Sequence, residues 1–137
     1  MGRALAHWDS LRGERRLPSR AQFFPGPLGG DDPNTFVIEV GAHEHDDRIV
    51  HAGRALIDAL GGDPTGKRVI DVLPSATERG LSFCRVAIDL MKPIADVGRF
   101  INRNGADVFY RSVLLPLSDD QKRVNYVLGA FSFKLAA

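Results

Sequence analysis

The side chains that could do chemistry in this sequence are few, and their spacing decides how much they can do. His43-Glu44-His45-Asp46-Asp47 places five potential metal ligands in a row. On a strand, His43 and His45 would project to one face, as chelation requires. Structural and catalytic metal sites, by contrast, draw their ligands from more than one element. A solvated turn between two strands accounts for the same residues, because Asp and other polar residues favour turns. Cys84 is the only cysteine, which excludes an intramolecular disulfide and a cysteine-cluster metal site. There is no Gly-x-Ser-x-Gly, no Cys-His arrangement at a recognisable spacing, and no P-loop or dinucleotide-binding glycine pattern. Gly29-Gly30-Asp31-Asp32 reads as a loop and not as a phosphate cradle, since no helix start follows it. The residues do not describe an enzyme.

Composition points the same way. The 137 residues suffice for one domain, and apolar and charged fractions of 44% and 26% are those of a globular protein. A formal net charge of +1 gives no global field toward nucleic acid or an anionic membrane, so neither is expected as a partner. No run approaches the roughly 18–20 apolar residues of a membrane span. Arg3, His7, Asp9 and Arg12 interrupt the N-terminus where a signal peptide would be apolar. A cytoplasmic location is the expectation.

The elements that must position any site fall into three segments. From Arg3 to Arg12, Ala4, Leu5, Trp8 and Leu11 share one helical stripe, and Gly13 follows as a stop. So short a helix is marginal alone and must dock on something. A Pro- and Gly-rich stretch runs on to Pro33, making residues 1–33 an arm ahead of a domain at 34–135. In the second segment, Thr35 to Val40 and Arg48 to Val50 read as strands. Ala55, Leu56, Ala59 and Leu60 share a helical face ended by Gly61-Gly62, and Val69 to Leu73 form a short buried piece. Ser75 and Glu78 have capping-box spacing ahead of a long helix. Its polar stripe of Ser82, Arg85, Asp89 and Lys92 is so narrow that protein should enclose the helix. In the third segment, strands from Ile94 to Asn102 and Asp107 to Leu117 flank Asn104-Gly105, which favours a tight hairpin with left-handed torsions. A last strand runs from Val124 to about Phe133. Two strands, several helices and a three-strand meander make an α+β domain, with a five-stranded antiparallel sheet and helices on one face.

That order resembles the PAS fold, and residues agree with it. PAS domains are similar to this chain at Leu56-Ile57-Asp58-Ala59-Leu60-Gly61, at Gly66-Lys67 and at Val69-Ile70-Asp71-Val72-Leu73-Pro74. A narrower resemblance is to a family of short stand-alone PAS-like proteins found mainly in alphaproteobacteria. It is carried by Trp8…Leu11-Arg12-Gly13, Leu17-Pro18-Ser19-Arg20, Leu114-Leu115-Pro116-Leu117-Ser118 and Val127-Leu128-Gly129. The resemblance implies a cupped sheet whose inner face, closed by helices, holds a small ligand. Phe36, Ile38, Leu81, Cys84, Ile88, Phe109 and Tyr126 are the expected lining.

The resemblance names no cofactor. Cys84 in Phe83-Cys84-Arg85 looks like the photoactive cysteine of flavin-binding PAS domains, but those carry asparagine before it. On the apolar side of a helix, a thiol behaves as a small hydrophobe. Haem-binding PAS domains usually take an axial histidine from the helical side, and no histidine occurs between Ala52 and Ala137. Both cofactors are therefore disfavoured. The reading is a sensory or interaction module of bacterial signalling that dimerises, or binds a protein partner, through Leu5, Trp8 and Leu11. The rival is a small-molecule enzyme or metal-binding protein on a cone-like α+β fold, using His43 and His45.

Overall fold

The computed structural model describes residues 2–13, 16–19, 32–73 and 83–136. The capping box at Ser75 and Glu78, the stretch from Pro25 to Gly30 and the pocket candidate Leu81 lie outside the described residues. Helix α1 (Gly2–Arg12) comes first. Strand β1 (Thr35–Glu39), a single 3-10 turn (Glu44–Asp46) and β2 (Arg48–Ala52) follow. Next come α2 (Arg54–Leu60), the short α3 (Val69–Val72) and α4 (Phe83–Leu90). The chain closes with β3 (Ile94–Ile101), β4 (Asp107–Leu117) and β5 (Tyr126–Leu135).

The strands form one antiparallel sheet in the order β2-β1-β5-β4-β3. The apolar run of β1 is an interior strand between β2 and the central β5, and its pairing with that last strand closes the two ends of the fold on each other. Direct cross-strand partners share a face of a sheet. Phe36 opposite Gly129, Gly129 opposite Leu114 and Leu114 opposite Ile94 therefore mark one face across four strands. On this inner face Phe36, Ile38, Tyr110, Leu114, Val127 and Phe131 are buried beneath α2 and α4. Gly129 is required there. The Phe36 ring lies against its Cα, and an added Cβ would collide with that ring.

Local chemistry explains where the elements stop. Gly61 adopts φ +84° and returns its amide to the Ile57 carbonyl, ending α2. The β3–β4 connection departs from the tight hairpin expected at Asn104-Gly105. It is a longer turn in which the Gly105 amide donates to the Asn102 carbonyl, and the left-handed torsion falls at Gly105 (φ +80°) but not at Asn104. The reason is Asn102, whose Oδ1 accepts the amides of both Asn104 and Ala106 while its Nδ2 donates to the Ala59 carbonyl. A second departure concerns α4. Cys84 and Ala87 are buried, but Leu90 is 53% exposed, because the helix ends there and Met91 turns the chain at φ +54°.

The N-terminal arm packs on the chain's own sheet. Ala4, Trp8 and Leu17 belong to the same core as the strands. The Trp8 indole N–H donates to the Pro116 carbonyl at 2.8 Å. Gln121 grips Leu17 from both sides, accepting its amide and donating to its carbonyl, and the Ser118 amide donates to the Pro18 carbonyl. Burying the tryptophan alone contributes about 1.5–3 kcal/mol. Of the expected interaction stripe, Trp8 thus faces inward, Leu11 is half-buried and Leu5 remains exposed. The sequence left open which apolar surface would satisfy the stripe, and β4 supplies it.

Candidate functional site

Alternation along β3, β4 and β5 brings a row of rings together on the inner face. Phe36 meets Phe131 edge-on at 6.4 Å, Tyr110 stacks on Phe131 at 5.8 Å, and Phe100 meets Tyr110 edge-on at 5.8 Å. Such pairs favour offset and edge geometries because ring faces are negative and ring edges positive. Within this row sits a carboxylate. Asp96 is 6% exposed and accepts the Tyr110 hydroxyl at 3.0 Å. Gly98 makes room for that phenol, since a Cβ there would crowd its oxygen. Sequence reasoning missed the Asp96–Tyr110 pair. The available signal was the inner-facing set Ile94, Asp96, Gly98 and Phe100, in which one charge stands among apolar residues.

The expected pocket residues divide. Phe36, Ile38 and Cys84 are buried together on or under the inner face, and Ile88 is half-buried at the edge of α4. Phe109 and Tyr126 are not with them. Their alternation places both on the outer face, where Phe109 is 40% exposed and Tyr126 is half-buried. Both follow odd–even registers opposite to Tyr110 and Val127, which the sequence alone could not anchor to a helix-covered side.

The histidine stretch also differs from the strand geometry that chelation needs. His43 and His45 are exposed at a 3-10 turn, with rings stacked 5.8 Å apart. Among the described residues no group of three His, Cys, Asp or Glu side chains could hold a metal ion. Asp47, expected in the solvated turn, is fully buried. Arg85 reaches it with a fork, Nε to Oδ2 at 2.8 Å and Nη2 to Oδ1 at 2.6 Å, and also donates to the Gly41 carbonyl. The Gly41 amide completes the carboxylate's bonding. This pair fastens α4 to the β1–β2 connection, and bidentate geometry is what makes a desolvated pair tolerable.

A third cluster lies at the β4–β5 connection. Asp120 accepts the amides of Lys122 and Arg123 and the Ser118 hydroxyl. Those bonds, the Lys122 amide first, hold its carboxyl below the ordinary aspartate range. They set the loop so that Gln121, at φ +62°, can grip Leu17.

Sheet order, helix placement and the docked N-terminal helix together define a known architecture, and the PAS domain profile matches residues 2–132. The chain belongs to the PAS domain family. The PAS fold is shared with a LOV domain from the Erythrobacter litoralis EL346 blue-light activated histidine kinase, at 14% identity and TM-score 0.56 over 74% of this chain and 95% of that one. An RNA-binding light-oxygen-voltage receptor is similar at 20% identity and TM-score 0.61, covering 81% of this chain and 33% of the receptor. The Rhodobacter sphaeroides LOV protein is similar at 17% identity and TM-score 0.54, covering 71% and 56%. None of the curated proteins compared with this PAS domain matches it. Its family makes it a sensory signalling module. No helix among the described residues is long and apolar enough to cross a membrane.

Proposed function

We propose that this PAS domain is a protein-interaction module in signalling, and that its partner docks on the uncovered half of the outer sheet face. One observation carries the reading. Val97 (64% exposed), Ile101 and Phe109 stand exposed on that face, in and beside a groove of about 540 Å³ across β3, β4 and β5. Contiguous exposed apolar surface with a polar rim is characteristic of interaction sites. The rim here is basic. Arg111 and Lys134 line the groove, and Arg99 stands beside Phe109 while paired with Asp107. A second copy docked face to face would oppose these cations with their own kind, at a cost. An acidic amphipathic segment of another protein fits better. This revises the expected dimerisation through the α1 stripe, because Trp8 is engaged on the chain's own sheet.

The test is a titration of isotopically labelled protein with a synthetic peptide alternating leucine and glutamate, against its leucine–lysine counterpart. The acidic peptide should shift resonances of Val97, Phe109 and Lys134 and lose affinity on Lys134→Glu. Light scattering supplies the opposing outcome. A dimer in the parent that dissociates on Phe109→Asp would assign the face to a second copy instead.

A further inference from the structure

The two edges of the sheet are finished differently. At one edge, β2 is five residues long and bulged against β1 between Val37 and Ile38. Its outward backbone groups at Ile49 are taken, the amide by the Lys67 carbonyl and the carbonyl by the Gly66 amide. Arg48 bridges to Arg68 beside them. Short length, a bulge and a covering loop are the usual means of keeping an edge from pairing with another chain. At the other edge, β3 pairs with β4 over eight residues in unbroken register and contains no proline.

The direction of its remaining backbone groups follows from the ends of the ladder. In an antiparallel pair, residues alternate between turning amide and carbonyl toward the partner strand and turning both away. The Asn102 amide donates to the Ala106 carbonyl, so Asn102 and, by alternation, Phe100, Gly98, Asp96 and Ile94 face β4. The Asp107 carbonyl, opposite Ile101, accepts from Ala136 on the β5 side, which requires the same phase. Ala95, Val97, Arg99 and Ile101 therefore aim amide and carbonyl out of the open edge, and among the described residues nothing bonds to them there. The same four side chains are exposed on the outer face, with Arg99 between the apolar Val97 and Ile101. Arg99 gives only its Nε to Asp107, so both terminal nitrogens stay unpaired among the described residues. Along the exposed outer face of β3, β4 and β5, Arg99, Arg111 and Lys134 stand against the single carboxylate of Asp107.

We propose that the partner adds a further strand to this edge, as an extended segment antiparallel to β3 whose outer-facing residues are apolar beside Val97 and Ile101 and acidic beside Arg99. Main-chain hydrogen bonds supply affinity in such additions, and alternate side chains supply specificity. Asp96, bonded to the Tyr110 hydroxyl, faces the inner side of the same edge and disfavours a second carboxylate beside it. The acidic and apolar character of the partner rests on the interaction reading above, whereas the strand geometry stands on the edge itself.

The probe is the capped peptide Ser-Leu-Thr-Glu-Thr-Leu-Ser, which sets both leucines and the glutamate on one face of a strand. Ser-Thr-Leu-Glu-Leu-Thr-Ser, of equal composition, sets them on opposite faces and should bind about ten-fold more weakly, the scale of one charge-assisted hydrogen bond. Arg99→Gln should lose about as much. In labelled protein, the amides of Val97, Arg99 and Ile101 should exchange faster than those of Gly98 and Phe100, and saturating probe should slow them by about ten-fold or more. N-methylation of the glutamate, whose amide faces β3, should cost about ten-fold or more, while methylation of the two threonines, whose amides face away, should cost about two-fold at most. Val97→Pro removes an edge donor where an edge strand tolerates proline, and should lose about ten-fold. If that variant does not fold, the methylated peptides decide on the parent protein.

No saturable binding at millimolar probe, unprotected edge amides, or equal tolerance of the two methylations overturns the added strand. Shifts at Phe109 and Lys134 without edge protection overturn it alone and leave the outer-face reading standing. Edge protection without those shifts keeps the strand and removes the outer-face groove. A parent dimer abolished by Val97→Pro overturns the proposed partner and assigns the edge to a second copy.

Discussion

The outer-facing residues of β4 run Phe109, Arg111, Val113, Leu115 and Leu117, and their surroundings change midway. Phe109 and Arg111 are exposed, whereas Val113, Leu115 and Leu117 are buried. Strand, face and alternation are the same at both ends. What differs is the cover, which at the second end includes α1, pinned by Trp8 to the Pro116 carbonyl and followed by Leu17 in the grip of Gln121. Cross-strand neighbours agree with the division. Val113 lies opposite Ala130 and Leu115 opposite Leu128, while Phe109 lies opposite Lys134 and Arg111 opposite Ser132. A sheet with one face covered along most of its length and the other covered along half of it has a finished core and a vacant surface, and the boundary on the outer face is set by the reach of an eleven-residue helix.

The strongest way to break this comparison is to remove the cover. Trp8→Ala deletes a buried indole and its hydrogen bond, leaving a cavity that a sheet cannot collapse to fill. We expect a loss of about 3–5 kcal/mol in urea unfolding. For a domain near the lower end of ordinary stability, about 5 kcal/mol, that approaches unfolding. The helix as a detachable arm would instead leave the strands unaffected, and a change below about 1 kcal/mol would restore that view.

How far the sequence could foretell this differs by element. The strands and α2 were legible because apolar periodicity and glycine stops such as Gly61 act locally. The need of the Trp8 stripe for a surface was legible too, but the surface was not, because a helix pattern shows what must be buried and not against what. The inner-face set failed at Phe109 and Tyr126 for a related reason. A two-residue period fixes which residues share a face but not which face meets the helices. Asp47 was misread because its neighbours His45 and Asp46 are exposed, and only the fold brings Arg85, thirty-eight positions away, into reach.

An intermediate effect is expected at the turn that borders the vacant half. Asn104→Pro should cost about 1–3 kcal/mol, though not for the reason a two-residue hairpin would give. Asn104 has no left-handed torsion to lose. Proline there removes the amide that donates to Asn102 Oδ1 at 2.9 Å and restricts the backbone of Arg103 before it. His45→Ala, at an exposed turn, should stay within about 0.5 kcal/mol. Equal melting temperatures for the two variants would mean that the Asn102-centred turn contributes nothing to holding β3 against β4.

The smallest change isolates the cover from every other variable. Valine to threonine keeps shape and β-branching and exchanges a methyl for a hydroxyl, so strand propensity scarcely moves. Val97 and Val113 are both outer-facing, on adjacent paired strands, with Val97 opposite Arg111 and Val113 opposite Ala95. At Val113, 6% exposed, the new hydroxyl loses water and should destabilise by about 1–3 kcal/mol. At Val97, 64% exposed, the hydroxyl stays solvated and stability should hold within about 0.5 kcal/mol. If Val97 is part of a docking surface, the same silent substitution should weaken the acidic peptide measurably, since the methyl is buried only in the complex. A Val97→Thr variant that costs as much stability as Val113→Thr would show that the second half of the face is covered in solution as well, and the vacancy on which the interaction reading depends would not exist.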